Sequence, residues 1–386
     1  MMTQKKNKLT IGIEAQRIFR KKKHGMDIVA IQLIKSLQKI DTTNTYYIFV
    51  NPDEDPSAIQ ETENFKIIEL PKSSYPVWEQ KHLKQAAITY KLDVLHCTSN
   101  TAPTSCPVPL VLTLHDIIYM EKINLFSGTW YQRIGNLYRR WNVPKVVKKS
   151  HTIFTVSHFE KKKIDAFFHF KDEQVKVTYN GVAPHFQPQS PEDIKKKVQS
   201  LGLPNEYLLF LGNTDPKKNL PGVLKALKIL DTQGNFPYDL VMPDFGEDEL
   251  SKTLESIQAS HLRSRIHLTG YIPNADLPYV YSGAKLFLYP SLRESFGLPI
   301  LEAMACGCPV ITSNTSSMPE VADDAAIIID PFKPEEIASA VNKILADEDY
   351  KQSLIQKGFE RTPLFSFDKS ASIILGSYQE AANSKK

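Results

Sequence analysis

Short apolar runs separated by helix-period segments occur twice along the 386 residues of this chain. In the first half, Leu9 to Ala15, Tyr46 to Val50, Phe65 to Leu70, Val94 to Cys97, Leu110 to Leu114, Thr152 to Val156 and Val175 to Tyr179 predict strands. Each is short, apolar and β-branched enough for a sheet buried on both faces. Between the first two, Ile31, Leu33, Ile34, Leu37 and Ile40 recur at helical spacing, and a further helix is expected near Trp78 to Tyr90. A second series follows at Tyr207 to Gly212, Asp239 to Met242, Ile266 to Leu268, Leu286 to Tyr289, Val310 to Thr312 and Ala326 to Ile329. Strands alternating with helices predict the α/β class, with two parallel doubly wound sheets in tandem. The polar, proline-containing segment Pro184 to Pro204 is expected to connect them, and Phe367 to Ala382 reads as a closing helix.

Composition adds little beyond exclusions. Hydrophobic content of 42% and charged content of 23% describe an ordinary globular chain, and a net charge of +4 does not suggest a nucleic-acid binder. No apolar run reaches bilayer length, and the lysine-rich start, Met1 to Lys8, lacks the apolar core of a secretion signal. The expectation is a cytoplasmic protein. Cys97, Cys106, Cys306 and Cys308 have no partners spaced for zinc and read as reduced thiols.

Chemistry concentrates after the strand near Ala284 to Pro290. Glu294 and Glu302 bracket Ser295, Phe296, Gly297, Leu298, Pro299, Ile300 and Leu301, in a loop that turns into a short helix. Pro299 suits the first turn of that helix and Gly307 its end. Helical side chains lean toward the N-terminus, so Glu302 tilts back toward the loop holding Glu294. Two carboxylates beside a positive helix end suit a ligand bearing both hydroxyls and a diphosphate, a nucleotide sugar. The bland alternative is a helix-end charge worth roughly 0.3–1 kcal/mol and a solvated loop glutamate.

Two more positions carry charge or a titratable ring to strand ends. Lys217 and Lys218 precede a helix start near Pro221, where the helix dipole favours anions. An anionic ligand would relieve that conflict, although two solvated loop lysines read the same way. His115-Asp116 closes the apolar strand Val111 to Leu114, with Asp116 suited to capping the turn. Gly25 precedes the first helix, where its backbone can approach a ligand, and Gly270-Tyr271 ends a second-half strand that could flank a base. Asp53-Glu54-Asp55 has the spacing of a metal-binding diphosphate site but lies in an Asn-Pro-Asp turn, so no metal is assigned.

The run from Glu294 to Glu302, continued by Ala303-Met304-Ala305-Cys306-Gly307-Cys308-Pro309-Val310-Ile311, resembles the E-x7-E signature of retaining GT-B glycosyltransferases, nearest to the large family-four group. That resemblance implies two Rossmann-like domains facing each other across a cleft: 1–190 on the acceptor side and 191–363 holding the donor. A C-terminal helix, 364–386, would cross back to the first domain. Glu302 would take the ribose hydroxyls and Glu294 the sugar. Lys218 matches the family lysine that clasps the donor diphosphate, while Asn213 stands where a basic residue is usual and could give a neutral hydrogen bond. Ser295, Phe296, Gly297 and Leu298 would stabilise the departing diphosphate. His115 would sit by the transferred sugar, as a donor to a hydroxyl or through its carbonyl. Gly25 and Tyr271 complete the binding set.

The implied reaction moves a hexose, first guess mannose, from a nucleotide-diphosphate sugar to a saccharide or lipid-linked saccharide. GDP-mannose is the first donor and a UDP-hexose the second, with no cofactor and no metal. A sugar-nucleotide epimerase of the same fold and a catalytically silent binding partner are the rivals. A nicotinamide dehydrogenase is excluded because Gly12-Ile13-Glu14-Ala15 is no G-x-G-x-x-G. Arg139, Arg140, Trp141, Lys145, Lys148, Lys149 and Lys161 to Lys163 form a basic, aromatic-flanked stretch suited either to anionic headgroups at the inner face of the membrane or to solvent alone.

Overall fold

The computed structural model describes residues 8–121, 130–170, 174–212, 215–234 and 236–384. It divides into two compact units, Met1–Asn180 with Ser366–Lys386, and Gly181–Phe365. The first holds β1 (Thr10–Glu14), β2 (Thr45–Val50), β3 (Phe65–Glu69), β4 (Val94–Cys97), β5 (Leu110–Thr113), β6 (Thr152–Thr155) and β7 (Val175–Val177). Their order is β3-β2-β1-β4-β5-β6-β7, with every pairing parallel. All residues of β4, β5 and β6 are buried, as expected for strands covered by helices on both faces. Packing is tight enough that a Cβ on Gly12 would lie 2.3 Å from Leu92 Cδ1 and 2.9 Å from a ring carbon of Phe49.

The helix Gly25–Ile40 buries Ile31, Leu33, Ile34 and Leu37 against this sheet. The helix expected near Trp78 begins earlier, at Tyr75, and its middle stretch, Trp78–Leu83, is π-wound. That winding turns Trp78 and Glu79 together into the interior, which 3.6-residue periodicity does not anticipate. The closing helix, Phe367–Asn383, belongs to this first unit. Ala371, Ile374, Tyr378 and Ala381, one helical stripe, join its core, and the Tyr378 hydroxyl lies 2.7 Å from His96 Nδ1.

The second unit contains β8 (Tyr207–Phe210), β9 (Asp239–Met242), β10 (Ile266–Leu268), β11 (Leu286–Tyr289), β12 (Val310–Ser313) and β13 (Ile327–Ile329). Their order, β10-β9-β8-β11-β12-β13, is again wholly parallel. In such sheets a crevice opens at the carboxyl ends where strand order reverses, here between β8 and β11. The segment 184–204, expected as a connector, instead carries the helix Pro191–Ser200. Ser190 caps it by accepting from Asp193 N at 3.1 Å, and Lys197 pairs with Asp276 at 2.9 Å. Only Val198 of that helix is buried, and Ile194 and Val198 are its only apolar side chains besides Pro191, so the segment reads as polar.

Candidate active site

The loops leaving β8 and β11 are tied to each other before any side-chain chemistry begins. Asp215 caps a short 3-10 turn, Pro216–Lys218, by accepting from Lys217 N at 3.1 Å. Asn219 then adopts a left-handed φ of 63°, and its Nδ2 donates to the carbonyls of Pro290 at 3.1 Å and Pro331 at 2.8 Å. Leu292 N donates to Lys217 O at 2.7 Å. The helix Leu220–Thr232 follows.

This clamp delivers Lys218 to Glu294. Lys218 Nζ lies 2.7 Å from Glu294 Oε1 and 3.0 Å from the Tyr289 hydroxyl, and it sits 4.8 Å above the Tyr289 ring. The paired side chains are 15% and 12% exposed. The lysine charge that looked misplaced at a helix start is therefore answered inside the chain, by a carboxylate from the next strand's loop. Lys218 is thus neither a solvated loop lysine nor without a partner of its own, and an anionic ligand would meet it already paired. Lys217 has its own partner, Asp215, at 3.6 Å.

Glu294 is fixed through its backbone. Its N–H donates to Ser316 Oγ at 3.0 Å, and its carbonyl accepts from Ser317 Oγ at 3.0 Å and Arg293 Nη1 at 3.0 Å. The one O–H of Ser317 is shared with Phe296 O, 2.8 Å away, so the serine bridges two carbonyls of the loop. Ser295 and Leu298 are half-buried, while Phe296 and Gly297 are buried. Gly297 has φ 104°, and a Cβ there would meet Ile300 Cδ1 at 3.1 Å. It caps the helix Leu298–Ala305, in whose first turn Pro299 has no N–H and Ile300 N donates to Gly297 O at 3.0 Å.

Glu302 points inward from that helix. Its Oε2 accepts from the buried Tyr281 hydroxyl at 3.2 Å. Burial pushes its carboxyl up to about 7, against the opposing effect of the Tyr281 bond. Tyr289 is also held above its ordinary range, first by burial and then by the negative charges of Glu294 and Glu302. Both carboxylates thus act on one buried phenol. One acid is ion-paired and the other is poised near neutrality, a chemically unequal pair.

Other predicted positions fall elsewhere. Asn213 lies outside the described residues. Tyr271 is 43% exposed just beyond β10, next to Gly270 at φ 68°. Gly25 and His115 belong to the first unit. Gly25 is exposed, and a Cβ there would meet no atom within 4 Å. His115 is buried beyond β5, with its N–H donating to Asn100 Oδ1 at 2.7 Å and its Nε2 at 2.9 Å from the Thr98 carbonyl. A carbonyl only accepts, so Nε2 carries the ring's proton. Burial lowers the imidazole's pKa and keeps it neutral. The ring's single donor is therefore spent on Thr98, which corrects the reading of His115 as a hydroxyl donor and leaves its carbonyl and the Nδ1 acceptor. Asp116 does cap its turn, accepting from Ile118 N at 3.1 Å. Asp55 pairs with Lys23, and Glu54 lies 3.7 Å from Lys21.

Sequence reasoning missed two buried acids of the first unit and two tyrosines of the second. Glu14 ends β1 and accepts from Gln16 N at 3.1 Å and Thr98 N at 3.2 Å. Glu79 is held by Thr101 Oγ1 at 2.5 Å, Tyr138 Oη at 2.5 Å and Asn142 Nδ2 at 3.3 Å, and burial pushes its carboxyl up to about 7. Tyr281 and Tyr289 read as strand or helix core. Only Tyr289, the last residue of β11, has a position that hints at more; Tyr281 lies within the helix Leu277–Gly283.

Residues 24–186 match the family model described as Glycosyltransferase Family 4, and residues 185–361 the one described as Glycosyl transferases group 1. The O-antigen chain mannosyltransferase B of Escherichia coli is 29% identical over 271 residues, 70% of each chain. A serotype-specific mannosyltransferase, WbdA of Escherichia coli, is 27% identical over 286 residues, 72% of this chain and 34% of its own. Among solved structures, sucrose-phosphate synthase of Thermosynechococcus elongatus has a TM-score of 0.73 at 18% identity, covering 96% of this chain and 98% of that one. Anabaena HepE, solved in complex with UDP-glucose, has a TM-score of 0.70 at 19% identity, covering 96% and 100%. These likenesses establish the GT-B fold.

Proposed function

The chain belongs to the glycosyltransferases of the family-four and group-one types, and on that premise we propose that it transfers a hexose, mannose as first choice, from a nucleotide-diphosphate sugar to a saccharide or lipid-linked saccharide, with retention of anomeric configuration. The observation that carries this reading is the Lys218–Glu294 pair at the strand-order reversal, with Glu302 one helical stretch away. A cation, a buried acid and a helix N-terminus at one sheet edge offer complementary partners to diphosphate and hydroxyls.

In this reading Glu302 accepts the ribose hydroxyls, and its ionised form is the one that does so. Lys218 and the amides from Phe296 to Leu298 meet the negative charge that grows on the departing diphosphate. Glu294 accepts from the transferred sugar. Charge supplied this way makes a divalent cation unnecessary. Tyr271, exposed beyond β10, is assigned to the base in this reading. The acceptor hydroxyl loses its proton to the leaving phosphate on the same face. The mannose preference draws on mannosyltransferase B of Escherichia coli, and a UDP-hexose is the second choice.

The proposal extends to peripheral membrane contact at the inner face. Ile134, Leu137 and Trp141 stand exposed at i, i+3 and i+7 of the helix Trp130–Val147, with Lys145 Nζ 3.8 Å over the Trp141 ring. An apolar stripe edged by cations suits an anionic bilayer surface. Among the described residues no helix is long and apolar enough to cross a membrane.

Thermal-shift screening against UDP, GDP, ADP and their sugars tests the reading, because stabilisation grows with ligand concentration over its dissociation constant. One nucleotide family should raise the melting temperature, and its sugar should then be transferred to a saccharide acceptor with the anomeric centre unchanged. A donor that only epimerises, or no nucleotide response at all, rejects the proposal.

A further inference from the structure

We propose that donor capture is an exchange of partners at Lys218, in which Glu294 stands in for the diphosphate until the sugar arrives to receive it. This rests on the donor site proposed above and adds how that site tells a loaded donor from spent nucleotide.

The pair is complete without any ligand. Lys218 Nζ lies 2.7 Å from Glu294 Oε1, and both side chains are mostly withdrawn from water, 15% and 12% exposed. Tyr289 holds the ammonium from below, through its ring at 4.8 Å and its hydroxyl at 3.0 Å. Both backbones are anchored. Lys218 N donates to Asp215 O at 2.9 Å, and Glu294 is bound through its N–H by Ser316 and through its carbonyl by Ser317 and Arg293. Only the two side chains are left to rearrange.

Two consequences follow from placing a diphosphate here. The anion must take Lys218, and it brings negative charge against a carboxylate that has just lost its cation. In a site this dry, like charges at contact are strongly unfavourable. The cost is relieved if Glu294 turns to the hydroxyls of the transferred sugar, which a loaded donor carries; a bare nucleoside diphosphate offers only its ribose hydroxyls, and those are assigned to Glu302. Glu294 therefore favours the loaded donor over the nucleotide left after transfer. Once the sugar has gone, it competes again for Lys218 and helps expel the product.

Isothermal titration of the full chain with UDP, GDP and their hexose conjugates tests this, comparing wild type with Glu294→Gln. Gln keeps the volume and removes the charge. The nucleoside diphosphate should bind the variant about tenfold tighter and the nucleotide sugar about tenfold weaker, so the ratio of dissociation constants shifts about a hundredfold. Equal changes for both ligands, or weaker binding of the bare nucleotide, overturn the exchange. Should Glu294→Gln not fold, Glu294→Asp, which withdraws the carboxylate from Lys218, must shift the ratio in the same direction. If wild type binds no nucleotide of either kind, the donor site itself is wrong and this proposal falls with it. If wild type binds and the ratio stays fixed, only the exchange is lost.

Discussion

Tyr281 donates its hydroxyl to Oε2 of Glu302 at 3.2 Å, and both side chains are buried in the second unit. A carboxyl so placed keeps its proton until about pH 7, chiefly because burial disfavours the charge. Nucleotide hydroxyls, by contrast, bond more strongly to an ionised acceptor than to a neutral one. Affinity for a nucleotide sugar should therefore rise between pH 6 and pH 8 by about tenfold. Glu302→Gln should flatten that profile and lower affinity at pH 8 by about tenfold to a hundredfold, the weight of hydrogen bonds to a charged acceptor. Titration calorimetry across this range checks both.

The same group sets the sign of a stability change. Between the ordinary value of 4.5 and about 7, unfolded Glu302 ionises while the folded form stays protonated. The folded state then binds more protons, so stability falls as pH rises through that window and stays lower above it. Glu79, raised to about 7 for the same reason, acts in the same direction. Glu302→Gln should be as stable as wild type near pH 4.5 and more stable at pH 8, by an amount on the order of 1–3 kcal/mol. Urea denaturation at the two pH values measures it.

Gly297 holds φ 104° at the start of the Leu298–Ala305 helix. Gly297→Ala should cost about 1–2 kcal/mol from backbone conformation alone, with the Ile300 contact adding to it. It should also weaken nucleotide binding, because the loop carries the amides assigned to the diphosphate. Denaturant midpoints and thermal shifts report the two effects separately.

Asn219 joins three segments through its left-handed backbone and its two carbonyl acceptors. Asn219→Ala should destabilise the second unit by about 1–3 kcal/mol. Asn219→Gly should restore the backbone component only. If the two variants are equally stable, the strain argument fails and only the side-chain bonds remain.

A chelator should leave transfer unchanged, since Lys218 and backbone amides supply the charge that a cation would. Loss of turnover in EDTA with recovery on adding magnesium would contradict that assignment.

Much of this architecture was legible in advance because buried parallel strands are short, apolar and uninterrupted. Val94–Cys97, Asp239–Met242 and Ile266–Leu268 have the bounds their sequence predicts. Helices with thin apolar faces were harder. Pro191–Ser200 buries only Val198 and read as a polar connector. The π-wound stretch at Trp78–Leu83 breaks the 3.6-residue period on which helix reading depends. Spacing brought Glu294 and Glu302 into one unit, but it could not choose their partners. Lys218 meets Glu294 through a pairing set by the adjacency of β8 and β11, which chain order conceals. Tyr281 and Tyr289 become visible only when burial places their hydroxyls against those acids. His115 shows the opposite case: its strand end was readable, while the Thr98 carbonyl that consumes its proton was not.

The central claim is that the second unit grips an activated sugar with Lys218 and two acids of unequal character. A crystal structure of the protein with its nucleotide sugar tests it most directly. The account predicts the diphosphate on Lys218 and the amides following Glu294, with the ribose hydroxyls on Glu302. A nucleotide lodged elsewhere, leaving Lys218 bonded to Glu294 and Glu302 to Tyr281 alone, would contradict it.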